Sequence, residues 1–195
     1  MDDAGELIRF WRDEVGPQGW YLSTPGLDAT IHSRFGALWE TARSGALDDW
    51  RDTAPGALAL ILLLDQFPRN MFRDRADSFA TDHQALTEAA RAIAAGHDLA
   101  TAPPLRQFFY LPFMHSEDLV AQHNGITLFA ERMPGDNLRH ARAHAAVIAR
   151  FGRFPWRNAA LGRATTTEEA AFLAQGGYAH ALAETPAIEA GGKVV

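Results

Sequence analysis

A chain of 195 residues, 47% hydrophobic and 22% charged, has an ordinary globular balance and is long enough for one domain with a substantial core. Its net charge is -6 and its basic residues are scattered among acids, which argues against nucleic acid as a partner. It contains no cysteine, which excludes disulfides, thiolate zinc sites and a cysteine nucleophile and fits a reducing, cytoplasmic setting.

The opening residues, MDDAGELIRFW, are acidic and lack a basic region followed by an apolar core, so they do not read as a signal peptide. Residues 6–15 predict a short helix with Leu7, Ile8, Phe10 and Trp11 on its apolar side, stopped by Gly16-Pro17. Residues 16–27 predict a loop, pinned to the core by Trp20, Tyr21 and Leu22. Asp28 is a good N-cap for a second helix, in which Ile31, Phe35, Leu38 and Ala42 recur on one face, and Gly45 suits its C′ position.

Thr53 predicts the cap of a third helix, with Pro55 in its first turn. Its apolar run, residues 57–64, is far too short for a bilayer, which needs ~20 residues, so no membrane partner is expected. The composition is leucine and alanine, which favours a buried helix over a strand. Residues 78–95 predict a further helix with Phe79, His83, Leu86, Ala90 and Ile93 on its buried stripe, and Gly96 stops it.

Pro103-Pro104 opens an aromatic segment. Ser116 then predicts a cap, with Glu117 and Asp118 in the first turn meeting the helix dipole. The stripe there is Leu119, His123, Ile126, Ala130 and Met133, and Gly125 inside it predicts a close neighbour. Asn137 predicts the cap of a helix carrying His140, His144, Val147 and Phe151 on one stripe. Two overlapping capping boxes, Thr165 with Glu168 and Thr166 with Glu169, predict a short helix ended by Gly176-Gly177. The pattern is all-α, seven to nine helices in antiparallel pairs, forming one domain over 1–177 with a partly ordered tail over 178–195.

Polar chemistry concentrates at element ends. The run LALILLLDQFPRNMFR, residues 58–73, turns from apolar to polar at Asp65 and delivers Gln66, Arg69, Asn70 and Arg73. A buried carboxylate at Asp65 requires a partner, because desolvation otherwise costs several kcal/mol. Phe67-Pro68-Arg69-Asn70 is echoed by Phe154-Pro155-Trp156-Arg157-Asn158. In each, proline is expected to push the preceding phenylalanine out of helical geometry and close the helix, so that Asp65 and Arg69 do not share one continuous helix. The bland reading is two similar corners. The sharper reading has them facing each other and pooling Arg69, Arg73, Arg153 and Arg157, whose planar forks suit carboxylate or phosphate. His115 and Glu117, at a loop-to-helix junction, are candidates for proton transfer beside Asp65. His140 and His144 have a metal-compatible spacing but no HExxH pattern, and neither a metal nor another cofactor is expected.

Three segments, LALILLLDQFPRNMFR, PFMHSE and RFGRFPWRNAALGRATTTEE, resemble the bacterial domain of unknown function 924 family, and with the N-terminal FW and Arg34-Phe35 the likeness covers nearly the whole chain apart from its tail. The resemblance implies a TPR-like stack of antiparallel helix pairs and no assigned activity. The family's motif positions fall on Asp65, Gln66, Arg69, Asn70, Arg73, His115, Ser116, Glu117, His144, Arg153, Arg157 and Asn158. Where the family pattern has histidine, this chain has Trp156, which weighs against proton transfer at that position. Two functional readings follow. In one, Asp65, His115 and Glu117 act as acid-base groups and Gln66, Arg69, Asn70, Arg73, Arg153, Arg157 and Asn158 hold a small anion, in a hydrolase-like site. In the other, the chain is a TPR-like scaffold for a peptide or protein and these polar motifs are structural.

Overall fold

In a computed structural model that describes residues 3–187, the longest uninterrupted stretch of buried chain runs over residues 56–68, along the apolar run singled out above. Every regular element among the described residues is helical. Two π turns, Phe10–Val15 and Leu62–Gln66, extend helices among them, and short 3-10 turns lie between others. The chain divides into two compact units, Met1–Pro112 and Phe113–Val195.

In the first unit, Thr53 caps the Ala54–Ile61 helix by accepting from the Gly56 amide at 3.1 Å, and Pro55 sits in its first turn. The proline at position 68 does not close this helix as expected. Phe67 keeps helical angles (φ -63°, ψ -38°), and the chain continues through a π turn, Leu62–Gln66, into Phe67–Met71. The reason is local. A proline in a helix removes one amide donor and crowds the carbonyl four residues back; a π turn widens the helix just before it. The carbonyl left without its amide is that of Leu64, and the Thr81 hydroxyl donates to it at 2.6 Å. The Trp39 indole in turn donates to Thr81 at 3.3 Å.

Around this helix lies an aromatic core. The Phe67 ring lies 5.1 Å from Phe35 and 5.4 Å from Trp11, and Phe108 meets Trp11 and Trp20 at 5.9 and 4.9 Å. Burying each such large side chain contributes about 1.5–3 kcal/mol. Trp20 pins its loop by donating to the Trp11 carbonyl at 2.7 Å. Tyr21 and Leu22, expected beside it, are exposed. The Asp3–Arg9 helix runs on through a π turn, Phe10–Val15, and stops at Gly16, whose φ of +68° is accessible mainly to glycine.

The Pro25–Arg43 helix is capped by Thr24 and not by Asp28, because the Asp28 carboxylate is engaged elsewhere. The helix expected from residue 78 begins at Asp82 and buries Ala85, Glu88, Ala89 and Ala92. His83 and Ala90, placed on the buried stripe by periodicity, are exposed. Small residues bring that face close to its neighbours, and Glu88 is held there by a bidentate Arg51 at 2.7 Å.

In the second unit, the Leu119–Arg132 helix packs on Asp136–Phe151, which packs on Tyr178–Glu184. Asp118 is the cap of the first, accepting from Ala121 at 2.8 Å, where Ser116 was expected. Its buried face is Ala121, Gln122, Gly125 and Phe129; Leu119 and His123 are exposed. Gly125 does have a close neighbour, since a Cβ there would lie 3.0 Å from the Phe113 Cβ. The Asp136–Phe151 helix starts after Gly135 with no side-chain cap, not at Asn137. It ends at Gly152 in the left-handed region, three residues before Pro155; Phe154 is extended (φ -90°, ψ 107°) as the proline requires, but the glycine, not the proline, closes the helix. Val147, Ile148, Phe154, Phe172 and Ala181 form the core, with Phe151 and Trp156 packed against it. Arg139 ties down the last helix by donating to the Thr185 and Leu182 carbonyls at 2.9 and 2.8 Å. Of the tail expected over 178–195, Tyr178–Glu184 is thus helical, and residues 188–195 lie outside the described residues.

Candidate functional site

The first corner is an ion-pair network inside the first unit. Asp65 is 1% exposed, accepts from the Gln66 amide and pairs with Arg69 at 3.3 Å. The two residues are four apart on the continuous helix that the π turn permits. Arg69 also donates to the Asp65 carbonyl and pairs with Asp82 at 3.0 Å. Burial works against its charge, and Asp65 and Asp82 outweigh burial, so the guanidinium stays protonated. Asp28 accepts a fork from Arg73 at 3.0 and 3.1 Å and the Asn70 amide at 2.8 Å. Two arginines thus share three carboxylates, and the corner holds its own counterions.

The second corner lies in the second unit. Arg153 grips Glu169 through two bonds at 2.6 and 2.8 Å, and the Thr166 amide adds a third at 2.8 Å. Glu169 closes the one capping box that forms, and these donors hold its carboxyl down at about 2. Thr165, expected in the overlapping box, instead accepts from Asn158 at 3.3 Å. Asn158 also reaches Glu169 at 3.3 Å. Glu117 does not meet the dipole of the following helix. It accepts a fork from Arg163 at 2.7 and 3.0 Å and the Phe154 amide at 2.8 Å. Its burial, which disfavours charge, is outweighed by these donors, and the carboxyl sits below its usual range. Glu169 and Glu117 are thus held by Arg153 and Arg163, and a third arginine, Arg157, stands at the same corner. Arg157 is 7% exposed; it donates to the His115 carbonyl at 2.9 Å and lies 4.7 Å over the Phe154 ring.

That hydrogen bond connects the corner to a cluster of rings. His115 and His144 are 6.4 Å apart, and His144 is ringed by Tyr178 at 4.6 Å, Phe154 at 5.4 Å and Trp156 at 6.1 Å. His140 bonds to the Tyr178 hydroxyl and, at 3.3 Å, to Asp136. His115, His140, His144, Trp156 and Tyr178 are all half-buried. Nδ1 of His144 faces the His140 carbonyl at 2.9 Å. A carbonyl only accepts, so Nδ1 carries the proton and Nε2 of the neutral ring keeps a lone pair. Burial pushes the His144 pKa down to about 3; the charges of His115, Arg157 and His140 add to this, and the His140 carbonyl opposes it. Tyr178 is pushed up to about 12, first by burial and then by Asp136, so it remains a phenol.

Segment 114–116 is held from beneath by Gln122. This side chain is fully buried and donates to the Met114 and Ser116 carbonyls at 2.7 and 2.6 Å, on either side of His115. Nothing in the sequence pattern marked Gln122, because it lies off the helical stripe assigned by periodicity. Tyr178 escaped notice because it falls in a stretch of weak periodicity.

This pairing of a histidine-bearing HSE turn with an FPWRN corner is the feature that comparison with known proteins bears on. A family described as a bacterial protein of unknown function, DUF924, matches residues 7–177. The chain belongs to the DUF924 family. It is also similar to a solved protein of unknown function, ATU0120 from Agrobacterium tumefaciens, with 44% identity and a TM-score of 0.84 over 87% of this chain and 96% of that one. No functionally curated protein matches. Family membership therefore supplies the fold and no activity. Among the described residues, no group of three or more histidine and carboxylate side chains could hold a metal ion, and no helix is long and apolar enough to cross a membrane.

Proposed function

We propose that the second unit binds a small anion, a carboxylate or a phosphate, at the cluster formed by His115, His144 and Arg157. The observation that carries this reading is electrostatic. His144 is half-buried, and beyond burial itself the Arg157 guanidinium, together with the His115 and His140 rings whenever they are protonated, disfavours a further positive charge on it. Such a field favours an anion, and a ligand there would meet less bulk-water screening than on an open surface. An anion accepting from His144 would also stabilise a proton on Nε2, making the ring a second donor beside its neighbours. In this reading Glu117 and Glu169 position the corner. Glu117 fixes Phe154 and Arg163, and Glu169 fixes Arg153 and Asn158. Asp65, Gln66, Arg69, Asn70 and Arg73 stabilise the first unit. Trp156 contributes an apolar wall and no proton.

The test is calorimetric titration of the full chain with inorganic phosphate, acetate and malonate at low ionic strength. Saturable one-site binding is expected for at least one of these. Losing a charge-assisted contact weakens it by about tenfold, roughly 1.4 kcal/mol, in Arg157→Gln and in His144→Gln. Equal affinity in both variants, or no saturable heat with any of the three anions, removes the proposal.

A further inference from the structure

The second unit carries another recess, turned away from the histidine cluster. Arg142, Ala146 and Arg150 follow one another at four-residue spacing on the Asp136–Phe151 helix, about 200° around its axis from His140 and His144. Together with Val147, Phe151, Phe172, Ala181, Thr185 and Pro186 they line an open groove of about 310 Å³. The groove has an apolar floor and two cations on its rim. Arg150 is already engaged: it pairs with Glu168 at 3.0 Å and lies 4.7 and 5.9 Å over the Phe151 and Phe172 rings. Arg142 makes no ion pair or hydrogen bond among the described residues. Glu184 also lines the rim and is turned toward His180 at 3.5 Å.

We infer that this groove binds a medium-chain alkyl carboxylate, with the chain along Ala146, Val147 and Phe172 and the carboxylate on Arg142. Three features select that occupant. Ligand sites run from roughly 300 to 1,000 Å³, and one at the small end suits a single extended chain better than the face of a helix. The Arg142 guanidinium, which makes no ion pair or hydrogen bond among the described residues, calls for one anionic head, which it can hold through a planar fork. Glu184 on the same rim disfavours a doubly charged head. The small side chain of Ala146 gives the groove its depth, and Ala146 is exposed, so enlarging it obstructs the groove without crowding the core.

The experiment titrates the full chain with decanoate, decanol and decyltrimethylammonium, all below their aggregation limits. Arg142→Gln and Ala146→Phe are compared with the parent after circular dichroism shows the same helicity. Expected are saturable decanoate binding, an approximately tenfold loss in Arg142→Gln with decanol affinity unchanged, and loss of both ligands in Ala146→Phe. The inference is overturned if decyltrimethylammonium binds as tightly as decanoate, or if neither substitution changes decanoate affinity. It is equally overturned if Ala146→Phe alters the sedimentation coefficient of the ligand-free protein, which would show the groove covered by a second copy. Competition by phosphate that persists in His144→Gln would place decanoate elsewhere and count against it as well.

Discussion

Asp65→Ala will cost the first unit about 3–5 kcal/mol, the loss typical of removing one partner from a buried ion pair. The carboxylate is 1% exposed and is the common acceptor for Gln66 and Arg69. Its removal leaves the Gln66 amide buried without that acceptor and hands the Arg69 charge to Asp82 alone. The loss occurs on the helix that supplies the centre of the aromatic core, so it is felt by the whole unit. Asp65→Asn, which keeps an acceptor and the volume but not the charge, is expected to cost less. Urea denaturation followed by tryptophan fluorescence measures the effect. Trp11, Trp20, Trp39 and Trp50 lie in the first unit and only Trp156 in the second. A change within 0.5 kcal/mol for Asp65→Ala would place the residue outside the stabilising network.

Gln122→Leu is the second large effect. The substitution is close in shape but withdraws both donors from the Met114 and Ser116 carbonyls. Each buried acceptor left unmade costs about 1–3 kcal/mol, so a loss of about 2–4 kcal/mol is expected once the carbonyls partly relax toward water. The two carbonyls flank His115, so the same change frees the imidazole from its place beside His144. The prediction is a joint one: lower stability of the second unit and weaker anion binding. Gln122→Glu, measured alongside, separates donor loss from packing, because it retains size and shape but replaces the amide nitrogen that makes both bonds with an acceptor oxygen. If Gln122→Leu lowers stability and leaves anion affinity untouched, Gln122 does not position His115.

How much of this was legible in the sequence differs from residue to residue. Caps were legible where side chain and backbone are local, as at Thr53 and Thr166, and so were the glycine stops at Gly16, Gly45 and Gly96. The burial of residues 58–67 was legible because an apolar run has few other fates. Pro68 was misread because the rule for proline considers the residue before it. The structure accommodates it with a π turn and a hydroxyl donated from Thr81, thirteen residues further on. Asp28 was misread for the same reason, its cap role being displaced by Arg73 and Asn70 from more than forty residues away. Stripes built from large apolar residues missed the faces that bury alanine, glycine, Glu88 and Gln122. Small residues draw helices together, and buried polar groups earn their place through partners no periodicity reveals. The FPRN and FPWRN corners look alike as strings, yet one helix runs through its proline and the other has already ended at Gly152 before its proline is reached. Of the candidate site, the residue types were legible; the ring cluster of His115, His144 and Tyr178 was not, because it joins positions up to 63 residues apart.

The most direct measurement is the titration of the His144 imidazole by nitrogen-15 NMR, assigned with the spectrum of His144→Gln, with and without saturating phosphate. In the free protein the ring is expected to stay neutral, with the proton on Nδ1, from pH 7 down through pH 5, its pKa lying near about 3. The ordinary histidine value of about 6.5 applies to the unfolded chain. Between these values the unfolded state binds more protons, so the residue's contribution to stability falls as pH is lowered through that window. Phosphate bound at the cluster is expected to move the midpoint upward and to place a proton on Nε2. A free-protein midpoint near 6.5, or a midpoint that saturating phosphate leaves in place, would contradict an anion site built on His115, His144 and Arg157.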